Sequence, residues 1–106
     1  MGRKRMYKDI ALPRETVACV KAMIAETERQ RREGIHTELG LRVQLAMDEA
    51  KKNMEHRVAR TMIEDVVCGV GYDRSRLSLF MNIKTYYRRR GRFIYDVAVC
   101  LGLREE

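Results

Sequence analysis

Seven cationic side chains, Arg74, Arg76, Lys84, Arg88, Arg89, Arg90 and Arg92, lie between positions 74 and 92 with no carboxylate among them. The chain carries 22 Lys and Arg against 15 Asp and Glu, so outside this block the remaining 15 cations balance the acids. The excess charge of +7 therefore sits in one segment. A local excess of this kind attracts polyanions and releases their counterions on contact, the main sequence-independent source of nucleic-acid affinity. Arginine adds geometry to charge, because its planar fork engages guanine O6 and N7 together or grips a phosphate through two hydrogen bonds. The bland alternative is a solvated helix face. The surrounding pattern has to decide between them.

The remaining reactive residue types point to little chemistry. Cys19, Cys68 and Cys100 are odd in number and widely spaced, which fits neither a CxxC clamp nor a disulfide framework, so they read as reduced core thiols. His36 and His56 have no ligand partner at metal-binding spacing, and neither a metal nor another cofactor is expected. No Ser-His-Asp set, glycine-rich phosphate loop or converging carboxylate pair is visible, so an enzyme is not expected. The longest apolar and glycine run, positions 97–103, is too short to span a membrane and lies at the wrong end for a secretory signal. A soluble, cytoplasmic protein without a membrane partner is the expectation.

The elements that must carry the basic block follow from spacing. A chain of 106 residues with 45% apolar content suits one domain with a modest core. Residues 1–10, with Arg3, Lys4, Arg5 and Lys8, read as a basic flexible arm, and 11–106 as a single helical domain. Pro13 fits the start of a helix, Val17, Val20 and Ile24 recur at helical spacing, and Gly34 stops it. Val43, Met47, Ala50, Met54, Val58, Met62 and Val66 then advance by three or four, predicting one long amphipathic helix or two nearly collinear ones. Lys51, Lys52, Arg57 and Arg60 alternate with Asp48, Glu49, Glu55 and Glu64 as a solvated, salt-bridged outer face. Gly69 and Gly71 end it, Asp73 is placed to cap a short helix over 74–81, and Asn82 to cap a helix over 83–101 that closes at Gly102. No alternating run argues for a sheet. The expected fold is all-α: a small helical domain with a long central helix and a C-terminal helix-turn-helix at about 73–102.

In a helix-turn-helix the second helix enters the major groove. At about 100° per residue, Tyr86, Tyr87, Phe93, Ile94, Val97, Ala98 and Leu101 fall in one arc of the last helix, while Lys84, Arg88 and Arg92 ladder up the other side with Thr85 and Arg89 flanking. Arg90 intrudes into the apolar arc, where it must snorkel outward or pair with a carboxylate. Gly91 also faces inward, which suggests close approach of a neighbouring helix. The paired tyrosines belong in the core with their hydroxyls at its rim.

The run Asn82-Ile83-Lys84-Thr85-Tyr86-Tyr87-Arg88-Arg89-Arg90-Gly91-Arg92-Phe93-Ile94-Tyr95-Asp96-Val97-Ala98, followed by Leu101-Gly102, resembles the C-terminus of the RinA/ArpU-like phage transcriptional regulators. In that family a capping polar residue, a Thr, an aromatic pair, an Arg-rich stretch and a terminal Ala-x-x-Leu-Gly form the recognition helix of a domain similar to region four of sigma factors. The resemblance implies that Lys84, Thr85, Arg88 and Arg89 face the groove, with Asn82 as cap and Arg92 near the backbone. Arg74 and Arg76 complete the expected DNA-binding set. Double-stranded DNA is the expected partner, with RNA polymerase and a second copy of the chain as further candidates. Two alternatives use the same residues: a phage DNA-packaging or RNA-binding protein, and a helical protein–protein interaction module. Apolar residues on two faces of the central helix would favour the last, but the spacing shows essentially one stripe, broadened near Ile63 and Val67.

Overall fold

A computed structural model describes residues 12–103. The basic arm expected over 1–10 lies outside them. The described chain forms four α-helices, α1 (Arg14–Arg32), α2 (Glu38–Lys51), α3 (His56–Cys68) and α4 (Ile83–Cys100), with two short 3-10 turns, Tyr72–Arg74 and Arg76–Leu79, before α4. No strand occurs among the described residues. The all-α expectation holds.

Local chemistry sets the helix ends. Pro13 precedes α1 in extended conformation, and Gly34 follows it at a φ of 73°. Thr37 caps α2, its hydroxyl accepting from Gly40 N–H at 2.9 Å. Gly69 ends α3 at a φ of 69°, the left-handed region where a side chain costs roughly 1–2 kcal/mol. Asn82 caps α4 through its side-chain oxygen, which accepts from Thr85 N–H at 2.8 Å.

The main core joins Val20 and Ile24 of α1, Val43 and Met47 of α2, and Phe93 and Val97 of α4. A second, smaller cluster of Met62, Leu77 and Tyr86 lies where α3, the second 3-10 turn and α4 meet. Helix α4 takes part in both, so its inner face is fixed along nearly its whole length.

Four expectations are corrected. Of the two arrangements expected for the central segment, the single long helix is not formed and two helices are: residues 52–54 form a turn with Asn53 N–H donating to Ala50 O at 3.3 Å and Met54 N–H to Lys51 O at 3.2 Å, and Glu55 is extended. The apolar spacing runs through this break unchanged, since Ala50 and Met54 pack on the main core and Val58 on the second cluster. The short helix expected over 74–81 is reduced to a 3-10 turn over Arg76–Leu79, preceded by another over Tyr72–Arg74. Here Ser75, buried and extended, accepts from Leu77 N–H at 3.1 Å, and the Ser78 hydroxyl donates to Ser75 O at 2.8 Å. Serines that bond their own backbone compete with α-helical pairing. Ser75 rather than Asp73 therefore caps the second 3-10 turn, over Arg76–Leu79. The three cysteines are not core residues: Cys19, Cys68 and Cys100 are all exposed, the last two at helix C-termini.

Candidate nucleic-acid interface

Helix α4 buries Tyr86, Arg90, Phe93, Ile94, Val97 and Ala98 and leaves Lys84, Arg88, Arg89 and Arg92 exposed. Thr85 is half-buried, and Asn82 is exposed at the cap. Arg74 and Arg76 are exposed on the two 3-10 turns, both of which pack against α4. The basic residues thus lie on α4 and on the two turns packed against it, and the opposite face of α4 is core.

Electrostatic environment separates them. Among the described residues, Arg74, Arg76, Lys84, Arg88 and Arg89 make no ion pair, whereas Arg92 pairs with Asp96, Nε to Oδ1 at 3.0 Å. Asp96 also accepts from Asn53 Nδ2 at 3.0 Å, which ties the turn after α2 to α4. Arg92 therefore adds less to the local field than its neighbours. Of the outer face expected to be salt-bridged, Lys51 pairs with Asp48 at 3.3 Å and Lys52 with Glu49 at 3.0 Å, whereas Arg57 and Arg60 make no ion pair among the described residues.

Arg90 belongs to the interior. It is 8% exposed, and its Nη1 donates to Val70 O at 2.5 Å and to the Tyr86 hydroxyl at 2.7 Å. The Tyr86 hydroxyl in turn donates to Asp65 Oδ2 at 2.8 Å. The guanidinium neither snorkels nor pairs directly with an acid; it reaches Asp65 through a tyrosine hydroxyl that is fully buried rather than at a rim. Among the described residues no buried side-chain polar atom lacks a hydrogen-bond partner. The chain of bonds links α4 to α3 and to the segment after it. Tyr87, 42% exposed, reinforces this link, its hydroxyl accepting from Tyr72 N–H at 3.1 Å. Gly91, with Val17, Lys21 and Gly71, lines a cleft between α1 and α4.

Burial and the bond to Asp65 push the Tyr86 hydroxyl above its ordinary value of 10.0. Because the folded state holds this proton more tightly, the stabilisation is complete below the unfolded value and is lost as pH rises through the folded one. Melting temperature is therefore expected to fall above about pH 10, and Tyr86→Phe to flatten that alkaline fall while lowering stability at neutral pH. An alkaline profile unchanged by Tyr86→Phe would contradict it.

Spacing alone did not bring out Asp65, Tyr72 or the apolar residues at the tip before α4. Leu79 and Phe80 are exposed there, as is Ile83 at the start of α4, in the stretch of chain between Arg76 and Lys84. Among the described residues no group of three or more His, Cys, Asp or Glu side chains converges as metal ligands, and no helix is long and apolar enough to cross a membrane. Fold and site together define a small all-α protein in which Lys84, Arg88 and Arg89 of α4 are exposed and make no ion pair among the described residues, as is also true of Arg42 on α2 and of Arg57 and Arg60 on α3. No family model, curated protein or solved structure matches the chain.

Proposed function

We propose that the protein is a DNA-binding transcriptional regulator of phage or prophage type, acting in the cytoplasm. It lays the N-terminal half of α4 in a major groove, with Lys84, Thr85, Arg88 and Arg89 toward base edges and Arg74, Arg76 and Arg92 toward phosphates. Asn82 fixes where the helix starts. The observation that carries the reading is the set of five exposed cations without an ion pair among the described residues, Arg74, Arg76, Lys84, Arg88 and Arg89, on α4 and on the turns packed against it, with the other face of α4 anchored in the core. The amide groups at the start of α4 add a partial positive charge at the same end. RNA polymerase, touched by the N-terminal helices, belongs to the same reading.

Binding to duplex DNA should weaken steeply with salt, each neutralised phosphate contributing about −0.9 to the log–log slope. Lys84→Ala with Arg88→Ala is expected to flatten that slope by about two. Lys51→Ala with Lys52→Ala is expected to leave it unchanged, because those lysines already face Asp48 and Glu49. Equal weakening by the two pairs would remove the site from α4.

One observation favours a second reading. Leu41 and Leu45, at 60% and 59% exposed, lie on the side of α2 opposite its buried Val43, Met47 and Ala50, and Leu39 is exposed at the start of the helix. This is the second apolar face that an interaction module would need, and Arg42, Asp48 and Glu49 around it carry both signs, as a surface pairing with a second copy requires. The two readings combine in a regulator that binds DNA as a dimer.

A further inference from the structure

Leu79 and Phe80 stand in solvent at 80% and 78% exposure, and Ile83 at 54%. They are held there by an ordered turn. Leu77 beneath them is buried, the Tyr72 hydroxyl donates to Met81 O at 2.7 Å, and Asn82 starts α4 two residues beyond Phe80. An ordered turn that spends two large apolar side chains on water needs a surface to receive them. That surface must also satisfy Arg76 and Lys84, exposed and unpaired on either side.

A polyanion with apolar groups set among its hydrogen-bonding edges meets both demands. In the major groove of duplex DNA the apolar groups at the base edges are the C5-methyls of thymine, and a phenyl or aliphatic side chain makes favourable contact with them. An anionic bilayer offers charge and hydrocarbon too, but two or three apolar side chains give only marginal, reversible attachment. The unpaired cations moreover continue along α4 from Lys84 to Arg88 and Arg89, a line suited to a groove. We propose that Leu79 and Phe80 determine sequence preference by packing on thymine methyl groups at one end of the bound site. This rests on the major-groove reading above.

The test uses a duplex selected by the full-length protein from a random pool, synthesised once with thymine and once with uracil, which differs only by the missing methyl. Wild-type protein should bind the uracil duplex about fourfold to fifteenfold more weakly, as expected for one or two buried methyl groups. Leu79→Ala with Phe80→Ala should bind the thymine duplex at about the wild-type level for uracil and no longer distinguish the two. Both side chains are exposed, so the variant keeps its fold, checked by circular dichroism. Specific binding by wild-type protein that ignores the uracil exchange, or a selected site without thymine, would overturn the methyl contact and leave the DNA reading standing. A variant that still distinguishes thymine from uracil would assign the methyl contact to other residues and overturn the proposal. Capture by phosphatidylserine vesicles that the variant loses, with no thymine preference, would transfer the tip to a membrane. Failure to bind any duplex would remove both readings together.

Discussion

Asp65→Ala should destabilise the fold by about 3 kcal/mol, although the residue is one acid at the end of α3. Its carboxylate is 6% exposed and receives the Tyr86 hydroxyl, which in turn receives Arg90. Removing it leaves a buried phenol without its acceptor and a buried guanidinium whose nearby countercharge is gone, Arg90 keeping only its bonds to Val70 O and the Tyr86 hydroxyl. Asp65→Asn keeps an acceptor at the same place and should cost less than half as much. Because Tyr86 is the bridge, Asp65→Ala and Tyr86→Phe should be strongly non-additive, the double variant being little worse than Asp65→Ala alone. Urea unfolding measures all three. A shift for Asp65→Ala within about 0.5 kcal/mol, the range of ordinary surface substitutions, would show that the network adds no stability.

This network was half legible from the chain. Arg90 announces itself as a charge inside the apolar arc of α4, and Asp65 sits in α3 three residues after Met62 and one before Val66, both buried. Two opposite charges intruding into two apolar stripes are a sequence signal for a buried pair. Only the Arg90 half was read from the spacing; Asp65 and the tyrosine that joins the two came from the structure. Helix ends were the most legible feature, because Pro13, Gly34, Gly69 and Asn82 act on the backbone next to them and need no tertiary partner.

The break between α2 and α3 was hidden for the opposite reason. Ala50, Met54 and Val58 keep helical spacing through residues that are not helical, since each packs on the core from its own element. The 3-10 turns were masked by Leu77 and Met81, which sit four apart as in an α-helix, while Ser75 and Ser78 redirect the backbone bonds. The candidate site followed the same division. The split of α4 into a buried and a cationic face was readable from angles, but the pairing of Arg92 with Asp96 and the exposure of Leu79 and Phe80 depend on tertiary placement.

The second large effect belongs to Arg88. Exposed, unpaired and in the second turn after the Asn82 cap, it stands where recognition helices present side chains to base edges. Arg88→Ala should weaken binding to the preferred site by about 1–3 kcal/mol and relax discrimination at one or two base pairs. Arg92 lies about 6 Å farther along the axis at 1.5 Å per residue, and half of its work is already done by Asp96. Arg92→Ala should weaken all duplexes alike, by less than Arg88→Ala, and lower the salt slope by no more than about one. Equal loss by Arg88→Ala on the preferred and a scrambled duplex would mean that Arg88 supplies charge without reading sequence.

Selection of bound duplexes from a random DNA pool at near-physiological salt tests the central claim most directly. Sequence-specific readout by α4 predicts enrichment of one motif by the wild-type protein, and its loss with Lys84→Ala and Arg88→Ala together while the fold persists. A pool that stays unenriched, beside tight binding to structured RNA or to a protein partner through the leucines of α2, would contradict it.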